Sequence, residues 1–437
     1  MASTLSPGPA GPARASSCSC MAVGASIGTT GRAWRRRALP QQEAILDVAD
    51  LAEMPFGHPM RALFALDPGI AFLNNGSFGA CPLRVLEVQD AIRREMERQP
   101  VAFFADMAPP RIREAAGALA RFLGTAPEDT VFVENATAGM NAVLRSLSFA
   151  PGDEVLATDH VYGAVRNVLA HLERSRGIRV VEAPLPWPAR GEDEVVAAVE
   201  AGFGPRTRLL LLDHVASRSA LVLPVARLAA LARARGVPVL VDGAHAPGLL
   251  ALDVPALGAD WYVGNCHKWL FAPKGAGFLW ARREAQDMLV PGVVSHGHGG
   301  GLAASFDWIG TRDLSSWLAV PAGIAFLEGI GAERLRARNH ALALAMAETL
   351  AAAWGTEVGA PRAMLSAMAP VRVPGAQEAS WEAGRALRRR LWEEHRVEVP
   401  VMPVGDALWV RISAQAFNVP QDYRRLASAL PALAAGA

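Results

Sequence analysis

Short apolar segments alternate with longer amphipathic ones from about Asp67 onward. Short apolar runs favour buried strands, whereas apolar residues spaced by three and four favour helices. The predicted strands are Thr130–Val133, Glu154–Ala157, Arg179–Glu182, Arg208–Asp213, Pro238–Asp242, Trp261–Val263 and Gly277–Trp280. The predicted helices between them include Met140–Ser148, Val161–Arg174 and Pro224–Arg235. This alternation predicts an α/β fold with a mostly parallel sheet covered by helices on both faces, where ligands bind beyond the carboxyl ends of the strands.

The pattern changes after about Trp317 to long helices rich in Ala, Leu and Arg, followed by a strand at Ala407–Ile412 and a helix from Pro420. This change predicts a smaller C-terminal α+β domain. The predicted organisation is an N-terminal extension at 1–50, an arm at 51–80, a large domain at 81–316 and a small domain at 317–437. Residues 1–42 hold no acidic residue and are rich in Ser, Ala, Gly and Pro, which is typical of a disordered extension rather than an export signal.

Bulk composition excludes several classes of function. A chain of 437 residues with a formal charge of +1 has no electrostatic footprint for nucleic acid, and no apolar stretch is long enough for a transmembrane helix. The four cysteines have no spacing typical of a metal site, and they are too few for disulfide bonds to stabilise a chain of this length. We therefore expect a cytoplasmic protein without a metal.

Lysine is almost absent from the chain. Only Lys268 and Lys274 are lysines, and the other 41 basic residues are arginines. Arginine stays protonated and cannot form an imine, whereas a desolvated lysine can lose its proton and attack a carbonyl. Two lysines left on the surface by chance remain an alternative, but the surroundings of Lys268 favour a chemical role.

A carboxylate ends one buried strand and a lysine follows the next. Asp242 closes Val239–Asp242, and Lys268 comes 26 residues later, after the predicted strand Trp261–Val263. Pyridoxal chemistry needs these two groups, since a carboxylate keeps the pyridine nitrogen protonated and an amine holds the aldehyde. The protonated ring is then the electron sink that lets an amino-acid Cα lose its proton.

The loop Glu134–Gly139 joins a predicted strand to a predicted helix. Its small residues let backbone N–H groups at the helix N-terminus approach a phosphate, and the Thr137 hydroxyl adds a donor. Alone, such a loop is equally typical of a helix cap. Together with Asp242 and Lys268 it favours a phosphate-bearing cofactor.

Several segments jointly match one known family. They are Phe72–Gly79, Asn135–Thr137, Thr158–Ala164, Val241–His245 and His267–Lys268. The chain resembles the class V pyridoxal-phosphate enzymes of fold type I, and among them the isopenicillin N epimerase-like proteins. The resemblance runs from about Phe72 to Tyr423. It implies the fold type I architecture, a mostly parallel sheet sandwiched by helices with a smaller C-terminal domain, and pyridoxal 5'-phosphate as the cofactor.

The resemblance also implies roles for individual residues. Lys268 becomes the Schiff-base lysine, Asp242 the partner of the pyridine nitrogen and His245 the partner of the ring hydroxyl. The implied contacts to the phosphate and the rest of the cofactor are Ala136, Thr137, Ser217, Asn265 and His267. A flat side chain should cover the ring, and both His160 and Tyr162 are available; the His-x-Tyr-Gly pattern favours Tyr162.

Partner and substrate contacts follow from the same resemblance. Gly310 and Thr311 match the segment by which one subunit completes the phosphate site of its neighbour, which implies a homodimer. Arg411 matches an arginine that grips a substrate carboxylate, and Asn74 or Asn75 would reach the same group. A purely structural Arg411 is the alternative in a chain so rich in arginine.

The chain departs from the family pattern at two positions. Asn75 stands where histidine is usual, and Arg218 stands where proline is common. Both border the expected substrate pocket. These two departures leave the identity of the substrate undecided, but they do not affect the cofactor that the resemblance implies.

The reaction is not decided by these motifs. Family members begin alike, with Lys268 removing the Cα proton as general base. Epimerisation then needs a second acid or base, for which the candidates are Tyr162, His214, His296 and His298. An aminotransferase or a C–S lyase acting on a sulfur-bearing amino acid needs only the lysine. A desulfurase is disfavoured because no cysteine follows Lys268.

A non-enzymatic regulator is the remaining alternative. Such proteins carry a pyridoxal-phosphate domain behind a DNA-binding helix-turn-helix. Residues 1–60 show no pair of amphipathic helices, and the net charge is close to zero. An enzyme of the epimerase type is therefore the leading hypothesis.

Overall fold

The computed structural model describes residues 48–375 and 378–435, and side chains from Leu51 to Ala434 within them. The predicted extension at 1–50 lies outside the described residues except for its last three. The strands are β1 (Ala71–Phe72), β2 (Thr130–Val133), β3 (Glu154–Thr158), β4 (Arg179–Ala183), β5 (Thr207–Asp213), β6 (Val239–Gly243), β7 (Trp261–Asn265), β8 (Gly277–Ala281), β9 (Met368–Arg372), β10 (Val397–Glu398), β11 (Val401–Val404) and β12 (Ala407–Ser413).

Helices surround these strands. They are α1 (Val48–Glu53), α2 (His58–Arg61), α3 (Asn75–Phe78), α4 (Leu83–Arg98), α5 (Pro100–Ala102), α6 (Ala108–Leu123), α7 (Ala136–Ser146), α8 (Gly163–Arg176), α9 (Glu192–Ala201), α10 (Val225–Arg233), α11 (Cys266–Trp269), α12 (Leu302–Asp307), α13 (Ser315–Leu318), α14 (Val320–Ile330), α15 (Ala332–Trp354), α16 (Trp381–His395) and α17 (Pro420–Ala435). A π-helical turn at Phe103–Met107 joins α5 to α6. Short 3-10 helices occur at Pro127–Asp129, Pro255–Leu257, Arg283–Ala285 and Arg362–Met364.

The central sheet has the strand order β2-β8-β7-β6-β5-β3-β4. Strands β3 to β7 pair in parallel, and β8 runs antiparallel between β2 and β7. The fold prediction of a mostly parallel sheet is confirmed, with β8 as an antiparallel insertion.

Alternation along the strands divides the core between the two sheet faces. Leu211 and Leu240 point to the side covered by α7 and α8, whereas Leu212 and Val241 belong to the larger cluster on the other side. Side chains that alternate between two apolar layers explain why β5 to β7 are almost entirely buried.

A second, antiparallel sheet with the order β11-β12-β9 lies in the C-terminal part. The predicted strand at Ala407–Ile412 is its central strand, one residue longer than expected. The predicted N-terminal arm pairs with this part of the chain, since β1 runs parallel to β10. The backbone N–H and the hydroxyl of Ser413 both donate to the carbonyl of Leu73. The domain boundaries given above stay predictions.

Among the described helices, none is by itself both long and apolar enough to cross a membrane. The segments Ser315–Ile330 and Ala332–Trp354 reach that length and composition only when joined, and they meet at a bend of 73°.

Candidate active site

A cavity of about 500 Å³ opens at the carboxyl ends of the central strands. Its wall is formed by the loops after β2, β5 and β6, by α11 and by the turn of α3. The lining residues are Ser77, Phe78, Glu134, Asn135, Ala136, Thr137, Tyr162, Asp213, Val215, Ser217, Asp242, Ala244, His245, Asn265, His267, Lys268, Lys274 and Gly275. The topology therefore gathers side chains that lie up to about two hundred residues apart in the chain, as expected at the carboxyl edge of a parallel sheet.

Lys268 projects into this cavity from α11, directly after β7. Its Nζ lies 3.3 Å from Nε2 of His245. Burial lowers the pKa of Lys268 to about 8, although the nearby Asp242 raises it. An amine with such a pKa is unprotonated in an appreciable fraction of molecules near neutral pH. It can therefore serve as nucleophile and as base.

The backbone of Lys268 is fastened to the N-terminal arm. Nδ2 of Asn75 donates to the Lys268 carbonyl at 3.1 Å, and Oδ1 of Asn75 accepts from the Ala80 N–H at 3.1 Å. Both ends of the Asn75 amide are thus used within the protein. Of the two asparagines expected at the substrate, Asn75 positions the lysine backbone instead of facing the cavity.

Asp242 and His245 stand at the end of β6. Oδ1 of Asp242 accepts from the Ala244 N–H at 2.9 Å, and burial raises the pKa of the carboxyl while Lys268 lowers it. His245 is buried, and burial lowers its pKa well below the ordinary value, which keeps the ring neutral. The cavity floor therefore offers a carboxylate and a neutral imidazole beside the lysine.

The N-terminus of α7 forms the other end of the cavity. Its first N–H groups are partly capped, since Ala136 donates to Oδ1 of Asn265 at 2.8 Å and Ala138 donates to Oδ1 of Asn135 at 3.0 Å. The N–H and the hydroxyl of Thr137 have no partner in the described parts of the chain. An eleven-residue helix with free donors at its start favours an anion such as a phosphate.

His267 and Lys274 border the same end. Nδ1 of His267 lies 3.1 Å from the Ala276 carbonyl, and burial lowers the pKa of this histidine to about 4. Nζ of Lys274 donates to the Gly79 carbonyl at 2.9 Å. Both lysines of the chain therefore line one cavity.

Two aromatic residues were candidates for covering the cofactor ring. Tyr162 lines the cavity and is 43% exposed. His160 is buried outside the lining, with Nδ1 2.8 Å from the Ser219 hydroxyl and its ring edge-on to Trp187. The structure brings Tyr162 to the site and leaves His160 in a neighbouring packed cluster.

Arg411 lies on β12 and reaches the cavity wall from the smaller sheet. Its guanidinium donates to the carbonyl of Ser217, and Nη2 lies 3.3 Å from the Ser77 hydroxyl and 3.4 Å from Oδ1 of Asn74. Asn74 in turn donates to Glu398 at 2.9 Å. The predicted carboxylate-binding residues Arg411 and Asn74 therefore form one hydrogen-bonded group.

Other predicted residues do not reach the cavity. Gly310 and Thr311 lie between α12 and α13, outside the lining, and Thr311 is exposed. Among the candidates for a second acid or base, His214 is buried against Tyr262, with Nδ1 2.8 Å from the hydroxyl. His296 and His298 are exposed and also lie outside the lining, so Tyr162 is the candidate that lines the cavity with Lys268.

The sequence prediction missed several lining residues, among them Asp213, Ser77 and Glu134. Asp213 is the last residue of β5, and Asp242 is the last but one of β6. The signal that identified one carboxylate, an acid at the end of a buried apolar run, was therefore also present for the other. Glu134 forms an ion pair with Arg312, whose guanidinium lies 3.9 Å from the centroid of the Trp317 ring. No pattern in the sequence predicted the ion pair between Glu134 and Arg312.

The residues present fit pyridoxal phosphate. A largely desolvated amine at Lys268 can hold an aldehyde, the buried carboxyl of Asp242 can pair with a ring nitrogen, and the free donors of Thr137 can hold a phosphate. At the phosphate end, the start of β8 lies close to the loop before α7. Gly277 permits this, since a Cβ there would lie 2.7 Å from Cα of Asn135. The cavity thus offers a partner to the aldehyde, the ring nitrogen and the phosphate of the cofactor.

Known proteins similar to this chain were found by a family model and by sequence identity. The family model for aminotransferase class V matches residues 90–384. A probable chloroplastic L-cysteine desulfhydrase of Arabidopsis thaliana is 37% identical over 399 residues, covering 84% of this chain and 83% of the relative. The isopenicillin N epimerase of Amycolatopsis lactamdurans is 37% identical over 393 residues, covering 85% of this chain and 97% of the relative.

Solved structures share the fold at lower identity. An apo cysteine desulfurase from Thermococcus onnurineus superposes with a TM-score of 0.73 at 21% identity, covering 88% of this chain and all of that one. The cystine C–S lyase C-DES, in complex with its product cysteine persulfide, gives a TM-score of 0.71 at 24% identity, covering 83% of this chain and 97% of that one.

Proposed function

The chain belongs to the aminotransferase class V family of pyridoxal-phosphate enzymes, and on that premise we propose that it is an epimerase acting at the Cα of an amino acid. The observation that carries the proposal is the presence of two acid/base groups in one cavity, Lys268 and Tyr162. They come from different elements, α11 and the loop before α8. Epimerisation needs one group to take a proton and another to return one on the opposite face.

When bound, the cofactor supplies the electron sink for loss of the Cα proton. Lys268 would hold its aldehyde, Asp242 its ring nitrogen, His245 its ring hydroxyl and the start of α7 its phosphate. Arg411 would bind the substrate carboxylate with the planar pair of donors that suits such a group.

The protein's own groups then move the proton. The amine of Lys268, with its pKa lowered to about 8 by burial, accepts the Cα proton. Tyr162 would deliver a proton from its hydroxyl to the other face, and it lies close enough to Arg411 for the two groups to interact electrostatically. The substrate held by Arg411 is thereby placed beside the second proton donor.

A C–S lyase is the second candidate. Relatives named L-cysteine desulfhydrase are as similar to this chain as the epimerase of Amycolatopsis lactamdurans. A lyase would need Lys268 and a sulfur leaving group on the substrate, and no second proton donor. An aminotransferase would likewise need only the lysine.

The cofactor assignment is tested by absorbance. We expect purified protein loaded with pyridoxal phosphate to show a band near the visible edge that is lost in Lys268→Ala. Lys274→Ala, which removes the chain's other lysine from the same cavity, is the matched control and should keep the band. A colourless wild-type protein after loading would contradict the proposal.

The reaction is tested by incubating candidate amino acids in heavy water. Cα exchange with inversion, without keto-acid or pyruvate release, would support the epimerase. Pyruvate together with sulfide would identify the lyase, and keto acid alone the aminotransferase. Under the epimerase proposal Tyr162→Phe should abolish inversion while Cα exchange through Lys268 continues, and inversion at an unchanged rate in this variant would exclude Tyr162.

We further propose that the chain acts as a cytoplasmic homodimer in which Gly310 and Thr311 complete the phosphate site of the neighbouring subunit. In support, Thr311 is exposed and outside the lining of its own cavity, and Phe78, at the cavity mouth, is 71% exposed. Sedimentation of the loaded protein at the mass of one chain would contradict this arrangement.

A further inference from the structure

The ends of β5 and β6 place two carboxyl groups side by side. Asp213 and Asp242 are register partners in the parallel ladder, so their side chains leave the sheet on the same face. Neighbouring strands lie about 4.8 Å apart. Both residues line the cavity, and they are only 3% and 4% exposed.

The two carboxyls differ in what surrounds them. Asp242 accepts a hydrogen bond from the Ala244 N–H and lies near Lys268. Asp213 faces the backbone N–H of Tyr162, but its Oδ2 is buried without a hydrogen-bond partner in the part of the chain that the structure describes. Neither carboxyl forms an ion pair among the described residues.

The charged groups facing Asp213 are Asp242 from β6, Lys268 from α11 and Arg218 from the loop after β5. Arg218 donates to the Asp159 carbonyl. His214, the next residue along the chain, forms its own hydrogen bond with Tyr262. No cation therefore contacts Asp213 directly in the described residues.

Two carboxylates this close, in a site of low dielectric constant, cannot both keep a negative charge without a large electrostatic cost. The backbone N–H and the lysine favour the charge on Asp242. Burial and the negative charge of Asp242 raise the pKa of Asp213 well above its ordinary value. A proton is thus expected to reside on Asp213.

We propose that Asp213 is a positioning residue that stays protonated at neutral pH, so that Asp242 alone carries the negative charge facing the cofactor ring. If Asp213 were ionised in part of the molecules, the proton would reside on Asp242 in those molecules. The pairing of Asp242 with the ring nitrogen would then be weaker. The role of the ring rests on the proposed function, whereas the protonation of Asp213 is a property of the chain itself.

Infrared difference spectroscopy of the full chain freed of cofactor tests the protonation directly. We expect wild-type protein at pH 7.5 to show the carbonyl band of a protonated carboxylic acid that is absent from Asp213→Asn. In Asp242→Asn, which removes the negative charge that raises the pKa of Asp213 but leaves the residue buried, the band should disappear at a lower pH than in the wild type. Labelling aspartate with ¹³C should shift the band. Absence of the band from the wild type, or its survival in Asp213→Asn, would overturn the proposal.

The dependence of stability on pH gives a second readout. Because the pKa of Asp213 is raised on folding, its contribution to stability is lost as pH rises above the unfolded value, about 3.9. Asp213→Asn should therefore melt close to the wild type at pH 4.5. At pH 7.5 it should melt above the wild type, by on the order of 2 °C or more.

Asp260→Asn is the matched control, since Asp260 is also a buried aspartate but pairs with Arg282 and accepts from the Val239 N–H at 2.7 Å. This variant should lose several degrees at pH 7.5, on the order of 4 °C or more. Asp213→Ala, which removes volume as well as the donor, should melt below Asp213→Asn. A loss in Asp213→Asn as large as that in Asp260→Asn would show that Asp213 is ionised.

The two proposals fail separately. A wild-type protein that stays colourless after loading would contradict the cofactor assignment without changing the infrared band. A missing band in a protein that binds the cofactor would contradict the role of Asp213 alone.

Discussion

Arg411 is a buried cation whose described partners are all neutral oxygens. It contacts Ser217, Ser77 and Asn74, and its Nε has no partner within the described residues. Burial lowers its pKa to about 10. Burying an unpaired charge is costly, which argues that the missing counter-charge arrives with the substrate.

Arg411→Lys should therefore weaken binding of the substrate carboxylate. Lysine cannot present two coplanar donors, and loss of a charge-assisted hydrogen bond corresponds to about a 10- to 100-fold rise in KM. The measurement is steady-state kinetics with the amino acid identified in the heavy-water experiment, together with the melting temperature.

The control is Arg389→Lys on the exposed face of α16, which should change neither quantity. An unchanged KM in Arg411→Lys would mean that Arg411 is structural, which was the alternative interpretation of its place in the sequence.

Single residues also show where prediction from sequence ended. The chemistry of Lys268 and Asp242 could be inferred because each closes or follows a buried strand, a position with few other uses. The sequence could not show which of Asn74 and Asn75 lies near the substrate carboxylate. The two are adjacent residues of the same type, but their side chains point in different directions. Asn74 joins Arg411, while Asn75 is taken up by backbone groups.

At the scale of elements, the central strands were predicted to within two residues at either end because apolar runs in a doubly covered sheet are nearly continuous. The antiparallel direction of β8 left no such signal, since a buried run has the same composition in either direction. Strands β9 and β11 were missed because Pro370 and Pro403 interrupt them. Both are edge strands of the smaller sheet, which is where proline is tolerated.

The turn between α3 and α4 makes a testable contact with the lysine-bearing helix. Gly79 has a φ of 70°, and a Cβ there would lie 2.1 Å from the His267 carbonyl oxygen. Gly79→Ala should lower the free energy of unfolding by about 3 kcal/mol and reduce cofactor loading, because the backbone of Lys268 must shift. Urea unfolding and the absorbance band measure the two effects.

Gly292→Ala is the comparison, since its Cβ would meet nothing within 4 Å and its backbone is not in the left-handed region. That variant should be neutral. If Gly79→Ala unfolds at the wild-type urea concentration, the close approach of the turn to α11 is not required.

At the scale of the whole molecule, several histidines are buried in the uncharged form. Burial lowers the pKa of His160, His214 and His267 to about 4, and lowers that of His245 well below its ordinary value. The unfolded chain binds protons at these positions below about pH 6.5 and the folded chain does not. Asp213 and Asp307 act in the opposite direction, because burial raises their pKa values, that of Asp307 to about 6, and the folded chain therefore binds these protons first.

The difference predicts acid sensitivity. With about two more protons bound by the unfolded chain, the free energy of unfolding should fall by about 3 kcal/mol for each pH unit between pH 6 and 5. Denaturant titrations at several pH values measure this slope. His160→Gln should reduce this slope by about one proton, since burial lowers the pKa of His160 to about 4.

A slope of zero would show that the carboxyls balance the histidines, and stability that rises on acidification would show that they outweigh them. The sequence alone could not have predicted this balance, since it depends on which histidines the fold excludes from water. His296 and His298 are exposed, whereas His214, on a strand end, is enclosed.

Both lysines line one cavity, and this gives the protein an unusual spectroscopic property. Reductive methylation with ¹³C-formaldehyde modifies amines, so the side-chain signals in a carbon–proton NMR spectrum could come only from Lys268 and Lys274. Wild-type protein would thus carry two side-chain reporters, both within the cavity, without any mutation. Loading with cofactor before labelling should protect one of them, so that the ratio of the two signals would count occupied sites.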